Sequence, residues 1–336
     1  MIDEHQISRF FRVYHIERER DSVRYYVIPL VNLSDENLHN FIQRLSADYD
    51  VSLYAKHGEF IFEIKRRKER YWINALLFAV TFISVAFTGS LFYGNFNLIQ
   101  GLEFAVAVMF VLGSHEMGHF IASKKWGMKA SLPYFIPFPT IIGTLGAIIK
   151  QRGVIESRKA LLEIGISGPV AGLVASVFVT YYGLTLPSPQ PQVAGGGIIL
   201  GEPILFEIVA KFAGFDGFFI HPVAFAGWVG MFVTALNLIP VGQLDGGHVM
   251  RAMLGEKADA VSKVFPLLLI GIGLIYREAG VWFFWGLVTL FFSMQKHPKP
   301  ADDSPLPVSH KIAGIITFTL GLLCFTPVPF QISESL

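Results

Sequence analysis

After Tyr71 the chain becomes apolar in runs too long and too poor in charge for the core of a water-soluble domain. Seven runs, at about 72–93, 102–122, 162–183, 222–243, 261–276, 281–294 and 311–326, approach the ~20 residues that take a helix across a bilayer. In hydrocarbon every backbone N–H and C=O must be met inside the chain, and a single run does this only as a helix. The composition agrees: 52% of the 336 residues are hydrophobic and 16% are charged, against roughly a quarter charged in a soluble domain. The fifth and sixth runs are short, and only Arg277, Glu278 and a few neighbours part them. They read either as two tilted spans or as one re-entrant hairpin. The expected fold class is a polytopic α-helical membrane protein with about six or seven transmembrane helices.

Residues 1–70 are of another kind. They are polar and mixed, and no apolar core flanked by a cleavage site marks a cleaved signal peptide. Ser22–Val31 is rich in β-branched and aromatic residues and reads as a strand. Ser34–Tyr49 reads as a helix capped by Ser34, with Leu38, Phe41, Ile42 and Leu45 on one face. The runs on either side of His57-Gly58 read as a hairpin. The order β-α-β-β describes a small soluble α+β domain, of a size suited to sensing, docking or regulation. The single cysteine, Cys324, excludes an internal disulfide. A net charge of +1 removes any bulk electrostatic case for nucleic acid.

Loop charge sets the orientation. With the N-terminus cytoplasmic, thirteen Lys and Arg from Lys124 to Lys311 fall in inside loops, and only Lys211 and Arg277 fall outside. A cytoplasmic N-terminus in the cell membrane is therefore expected, with the C-terminus outside if all seven runs span. The one sizeable outside loop, about Leu184 to His221, contains "PSPQPQVAGGG", a loop composition. It is too short for a typical inserted domain.

Inside the second run stands "HEMGH". His115 and His119, four apart on a helix, lie one above the other about 5–6 Å apart. Two imidazoles so placed can reach one tetrahedral zinc ion. Glu116 is beside them but rotated off their face, where it can take a proton from a water activated there. At 1.5 Å per residue, His115 lies roughly 13–18 Å from either charged end of the run. An ionisable side chain at such depth costs about 2–3 kcal/mol on insertion scales, which favours a ligand role over idle polar packing. A third ligand is sought in "NLIPVGQLDGGH", Asn237 to His248. Pro240 and Gly242 should break the fourth run there, and Asp245 follows with Gly246 and Gly247 beside it. Both runs pass from outside to inside, so His115, His119 and Asp245 can share one depth. Two histidines, an aspartate and a water make a catalytic zinc shell. The alternative for Asp245 is a solvated carboxylate in a cytoplasmic turn.

With these residues the chain resembles the site-2 protease family of intramembrane zinc metalloproteases. The resemblance rests on "HEMGH" and "NLIPVGQLDGG" in their own runs and covers residues 70 to about 255. "GTLGAIIKQR", Gly143–Arg152, looks like a further element of the plastid-type and related microbial branch. The resemblance implies that His115, His119 and Asp245 bind Zn²⁺, that Glu116 is the general base, and that Asn237 helps stabilise the oxyanion. It implies cleavage of transmembrane protein substrates in the bilayer. It does not explain the N-terminal domain, and the chain is expected to divide into that domain (1–70), a protease core (71–255) and additional C-terminal helices (256–336). No loop has room for the PDZ insertion of many members. The competing function is a metal-free membrane scaffold that binds transmembrane partners. Oligomeric state is left open.

Smaller signals complete the reading. The segment Ala130–Gly153, broken by Pro133, Pro137 and Pro139, is expected as a membrane-dipping hairpin or loop that offers a strand edge to substrate, or as a packing loop. Gly168 and Gly172 have the small-xxx-small spacing of close helix packing. His248 reads as a boundary residue or a partner of the site. His221 is read as surface, Glu103 as solvated, and Trp282, Trp285, Phe291 and Phe292 as lipid-facing or interfacial.

Overall fold

The computed structural model describes residues 4–94, 96–187, 197–275, 280–295 and 298–333. Arg277, Glu278, Lys296 and most of the proline- and glycine-rich loop, 188–196, lie outside the described residues. The chain forms two compact units.

The first unit joins Met1–Tyr71 with two later stretches, Ser123–Ser131 and Lys150–Val154. It contains α1 (Glu4–Ile7), β1 (Phe11–Arg18), β2 (Ser22–Pro29), α2 (Glu36–Leu45), β3 (Tyr49–Lys56) and β4 (Glu59–Arg66). The strands form an antiparallel sheet in the order β1-β2-β4-β3. Alternation sends Val23, Tyr25 and Val27 of β2, with Phe60, Phe62 and Ile64 of β4, to one face, where they meet Leu38, Phe41, Ile42 and Leu45 of α2. The expected β-α-β-β order thus lacked β1, whose "FRVYHIER" carries charges on its outward positions and hides the alternation. Ser34 is not the cap of α2. Asp35 accepts from the backbone N–H groups of Asn37 and Leu38 at 2.7 and 3.3 Å, while Ser34 is held by the Asn32 side chain. On the other face Glu63 is only 5% exposed. Burial works against its charge, but bonds and charges from Arg24 (2.8 Å) and Lys65 (3.2 Å) prevail and hold its carboxyl below the usual glutamate range. Two short strands, β5 (Lys129–Ala130) and β8 (Gln151–Arg152), pair with each other. Ion pairs Lys129–Asp48 and Arg152–Glu69, and the approach of Gly153 to Ala47, complete this unit.

The second unit is helical: α3 (Tyr71–Gly89), α4 (Leu98–Lys125), α5 (Arg158–Thr185), α6 (Ile204–Ala213), α7 (Pro222–Asn237), α8 (Asp245–Leu254), α9 (Ala258–Ile275), α10 (Gly280–Ser293) and α11 (Val308–Leu323). It also holds a hairpin of β6 (Tyr134–Pro137) and β7 (Thr144–Ile148), and a pair of β9 (Gly197–Leu200) with β10 (Phe330–Ser333). Among the described residues four helices are long and apolar enough to cross a membrane: α3, α4, α5, and the run from α8 through α9. Helices α7, α10 and α11 are shorter apolar helices.

Its largest core surrounds α7, with Trp228, Met231 and Phe232 packed among residues of α5, α9 and α10. Trp282, expected at the lipid surface, is 1% exposed in this core; its indole N–H donates to the Pro327 carbonyl at 2.7 Å and its ring stacks on Phe325. A buried indole needs such an acceptor. Phe291 does stay 63% exposed. His221 is likewise not a surface residue. It is 7% exposed and caps α7, accepting the Val223 N–H through Nδ1 at 3.3 Å while Nε2 lies 3.5 Å from Glu103. Pro222 starts the helix and leaves the cap to the residue before it.

Candidate metal centre

Helix α4 runs without a break for 28 residues and so keeps His115 and His119 on one face. Their rings are 5.0 Å apart, their Nε2 atoms are 3.2 Å apart, and they are 5% and 6% exposed. Asp245 arrives from the other side. Helix α7 ends at Asn237, the chain turns through Pro240 and Gly242, and α8 begins at Asp245. Gly242 has a φ of +49°, a left-handed conformation open to glycine. Its N–H donates to Ser262 Oγ at 2.9 Å. Gly246 and Gly247 then let the first turn of α8 rest on the preceding loop: a Cβ on either would fall within 2.3 Å of a carbonyl oxygen, of Leu238 or of Gly242. The break expected from sequence is thus the device that turns Asp245 inward.

Asp245 Oδ2 lies 3.2 Å from His115 Nε2, and Oδ1 lies 3.2 Å from His119 Nε2. Each imidazole nitrogen thus faces its own oxygen of one carboxylate, and one donor atom from each of the three residues lies within 4.8 Å of the others, a donor triangle. A tetrahedral zinc ion about 2.0 Å from each ligand needs donors about 3.3 Å apart, so the donor set fits the ion in both chemistry and spacing. His119 Nδ1 is 2.9 Å from the Ile164 carbonyl oxygen. Donation by that N–H leaves the Nε2 lone pair facing the triangle, the arrangement that metal-ligating histidines require.

Helix α5 packs closely on the helices that carry these residues, as the spacing of Gly168 and Gly172 led one to expect, and it also walls the imidazoles, which the sequence did not indicate. A Cβ on Gly168 would fall 2.0 Å from His119 Nε2, and one on Gly172 3.0 Å from His115 Cβ and Nδ1. At Gly165 it would meet His248 Cβ at 3.1 Å and the Asp245 carbonyl oxygen at 3.4 Å. Gly168 and Gly172 do serve close packing, but against imidazole rings. The spacing of Gly165, Gly168 and Gly172 on one helical face was the signal available. His248 is half-buried beside this wall and outside the donor triangle.

Glu116 is 8% exposed, beside the triangle and off the ligand face, and its carboxylate accepts the backbone N–H of Ile149. Ile149 directly follows β7, so the Ala130–Gly153 segment does form a hairpin at the site. Asn74 of α3 holds its base, donating to the carbonyls of Leu132 and Pro133 at 2.9 and 3.0 Å, and Ser84 donates to Gly143 at 2.8 Å. Among the described residues β6 and β7 pair only with each other. The Asn237 amide nitrogen lies 3.4 Å from His115 Nε2. All five residues expected at the site are therefore neighbours.

A family model for Peptidase family M50 matches residues 103–275, which hold every one of these residues. The chain belongs to this family. M50 is the site-2 protease family to which the two motifs pointed. Among similar proteins is the probable zinc metalloprotease EGY2, chloroplastic, of Oryza sativa subsp. indica, 29% identical over 258 residues, covering 72% of this chain and 46% of that protein. The probable zinc metalloprotease EGY1, chloroplastic, is 31% identical in Oryza sativa subsp. japonica (70% of this chain, 42% of that protein) and 30% identical in Arabidopsis thaliana (68% and 43%). The chain spans less than half the length of these M50 relatives. No solved structure matches it.

Proposed function

We propose that this chain is a zinc metalloendopeptidase that hydrolyses peptide bonds within or near transmembrane segments of membrane proteins. The observation that carries the reading is the buried His115–His119–Asp245 triangle, with Glu116 beside it, on helices apolar enough for a bilayer. His115, His119 and Asp245 are the ligands. A zinc ion there would supply a Lewis acid that polarises the scissile carbonyl and makes water a nucleophile at neutral pH. Glu116 takes the proton of the attacking water and passes it to the leaving amine. The Asn237 amide can donate to the oxyanion that forms at the carbonyl. The unpaired edge of β7 offers backbone groups to a substrate unwound into an extended strand.

The reading extends to the whole chain. It is multi-pass in the cell membrane, with six or seven spans and a cytoplasmic N-terminus, supported by the apolar helices and the thirteen-to-two loop charge bias. Residues 1–70 are its soluble domain, 71–255 its catalytic core and 256–336 its extra membrane helices. A cysteine at exposed His57 should react with a membrane-impermeant maleimide only after cells are opened; labelling of intact cells would reverse the orientation.

Zinc per chain in the purified, detergent-solubilised protein tests the function. About one zinc is expected in the parent, lost or greatly weakened in His119→Ala and Asp245→Asn. A folded parent that takes no zinc when zinc is supplied would sink the protease reading and leave a membrane scaffold.

A further inference from the structure

We propose that Ser167 is a positioning residue of the metal centre: its hydroxyl holds the Ile164 carbonyl in the direction that fixes His119. The inference rests on the zinc reading above and concerns the chain behind the ligands.

The Ile164 carbonyl oxygen is shared. His119 Nδ1 lies 2.9 Å from it, and Ser167 Oγ donates to it at 2.8 Å. This carbonyl belongs to a helix, where it would ordinarily point along the axis toward its intrahelical donor. To serve a histidine on another helix it must tilt outward. Serine back-bonding to a carbonyl one turn earlier tilts and bends helices in this way. Pro169, two residues on, brings no N–H to the Gly165 carbonyl and loosens the same turn. The turn is also one where α4 and α5 touch closely, since a Cβ on Gly118 would fall 2.3 Å from the Ser167 carbonyl oxygen. A small tilt here is therefore delivered directly to the helix that bears both histidines.

Hydroxyl back-bonding is common in apolar helices, and α5 supplies its own control. Ser176 Oγ donates to the Gly172 carbonyl at 2.7 Å, the same chemistry two turns later, and no ligand uses that carbonyl.

The test is the zinc dissociation constant of the full detergent-solubilised chain, read by competition with a fluorescent chelator. Loss of a group that directly orients a ligand weakens metal affinity about 10- to 100-fold; Ser167 acts through one further bond, so Ser167→Ala should weaken it about 3- to 10-fold. Ser167→Thr keeps the hydroxyl and should restore parental affinity. Ser167→Cys, with a weaker donor, should fall between. Ser176→Ala should match the parent. Parental affinity in Ser167→Ala or Ser167→Cys, equal weakening in Ser167→Ala and Ser176→Ala, or failure of the threonine to restore it would each overturn the proposal. If Ser167→Ala does not fold, the cysteine and threonine variants decide. A parent without zinc would refute the zinc reading instead.

Discussion

Replacing Gly168 with alanine is expected to empty the metal centre. The added methyl would stand 2.0 Å from His119 Nε2, 2.3 Å from Cδ2 and 2.6 Å from Cε1. Carbon atoms in contact need about 3.5–4.0 Å, so the ring must shift by more than an ångström or α5 must back away. Either movement breaks the 2.9 Å bond to Ile164 and the 3.2 Å spacing of the donors. No flexible side chain can absorb the clash, because the ring is held on both sides. Zinc should fall from about one per chain to a small fraction, and cleavage should fall to background, in a protein that still folds as a helical membrane protein. Elemental analysis of the purified variant reads the result. Full zinc in Gly168→Ala would mean that α5 does not wall the site as described.

Glu116→Gln should give the opposite pairing, with zinc kept and catalysis lost. Glutamine has the same shape and can still accept the Ile149 N–H through its carbonyl oxygen, so the hairpin contact survives. What it cannot do is accept a proton. General acid–base catalysis contributes about 10²- to 10⁴-fold, and a loss of that size is expected in the cleavage rate of a transmembrane segment cut by the parent. Zinc per chain should stay near one. Loss of zinc with activity would make Glu116 a ligand, and unchanged cleavage would remove it from the mechanism.

Both experiments concern a site whose residues were partly legible in sequence. His115, Glu116 and His119 were readable because spacing within one helix fixes geometry, whatever surrounds it. Asp245 was readable for a different reason: Pro240 and Gly242 mark a break, and a carboxylate after a break deep in an apolar chain invites a role. Of the part played by α5, the close packing on the two helices that carry these residues was legible from Gly168 and Gly172, but the contact with the imidazoles was not. Three glycines on one face show that something approaches closely, but not whether it is a backbone, a methyl or an imidazole. The same limit explains His221 and Trp282. Each stands near the end of an apolar run, where polar and amphipathic side chains commonly face the interface, and only the packing of distant segments shows that they are buried. In the first unit the central strands, with clean alternation, were readable, whereas β1 was masked by its charged outward positions.

The first unit is sewn from three stretches rather than strung on one end of the chain. Asp48 and Glu69 are ion-paired to Lys129 and Arg152, and Ala47 packs beside Gly153. Ser123, which opens the second stretch, lies one helical turn after His119, and Lys150, which opens the third, directly follows the residue that touches Glu116. Cutting the chain at residue 71 would therefore part the four-stranded sheet and its helix from two later stretches that belong to the same compact unit. It would strip the partners from two loops whose neighbours in sequence are His119 and Ile149, the residue that touches Glu116.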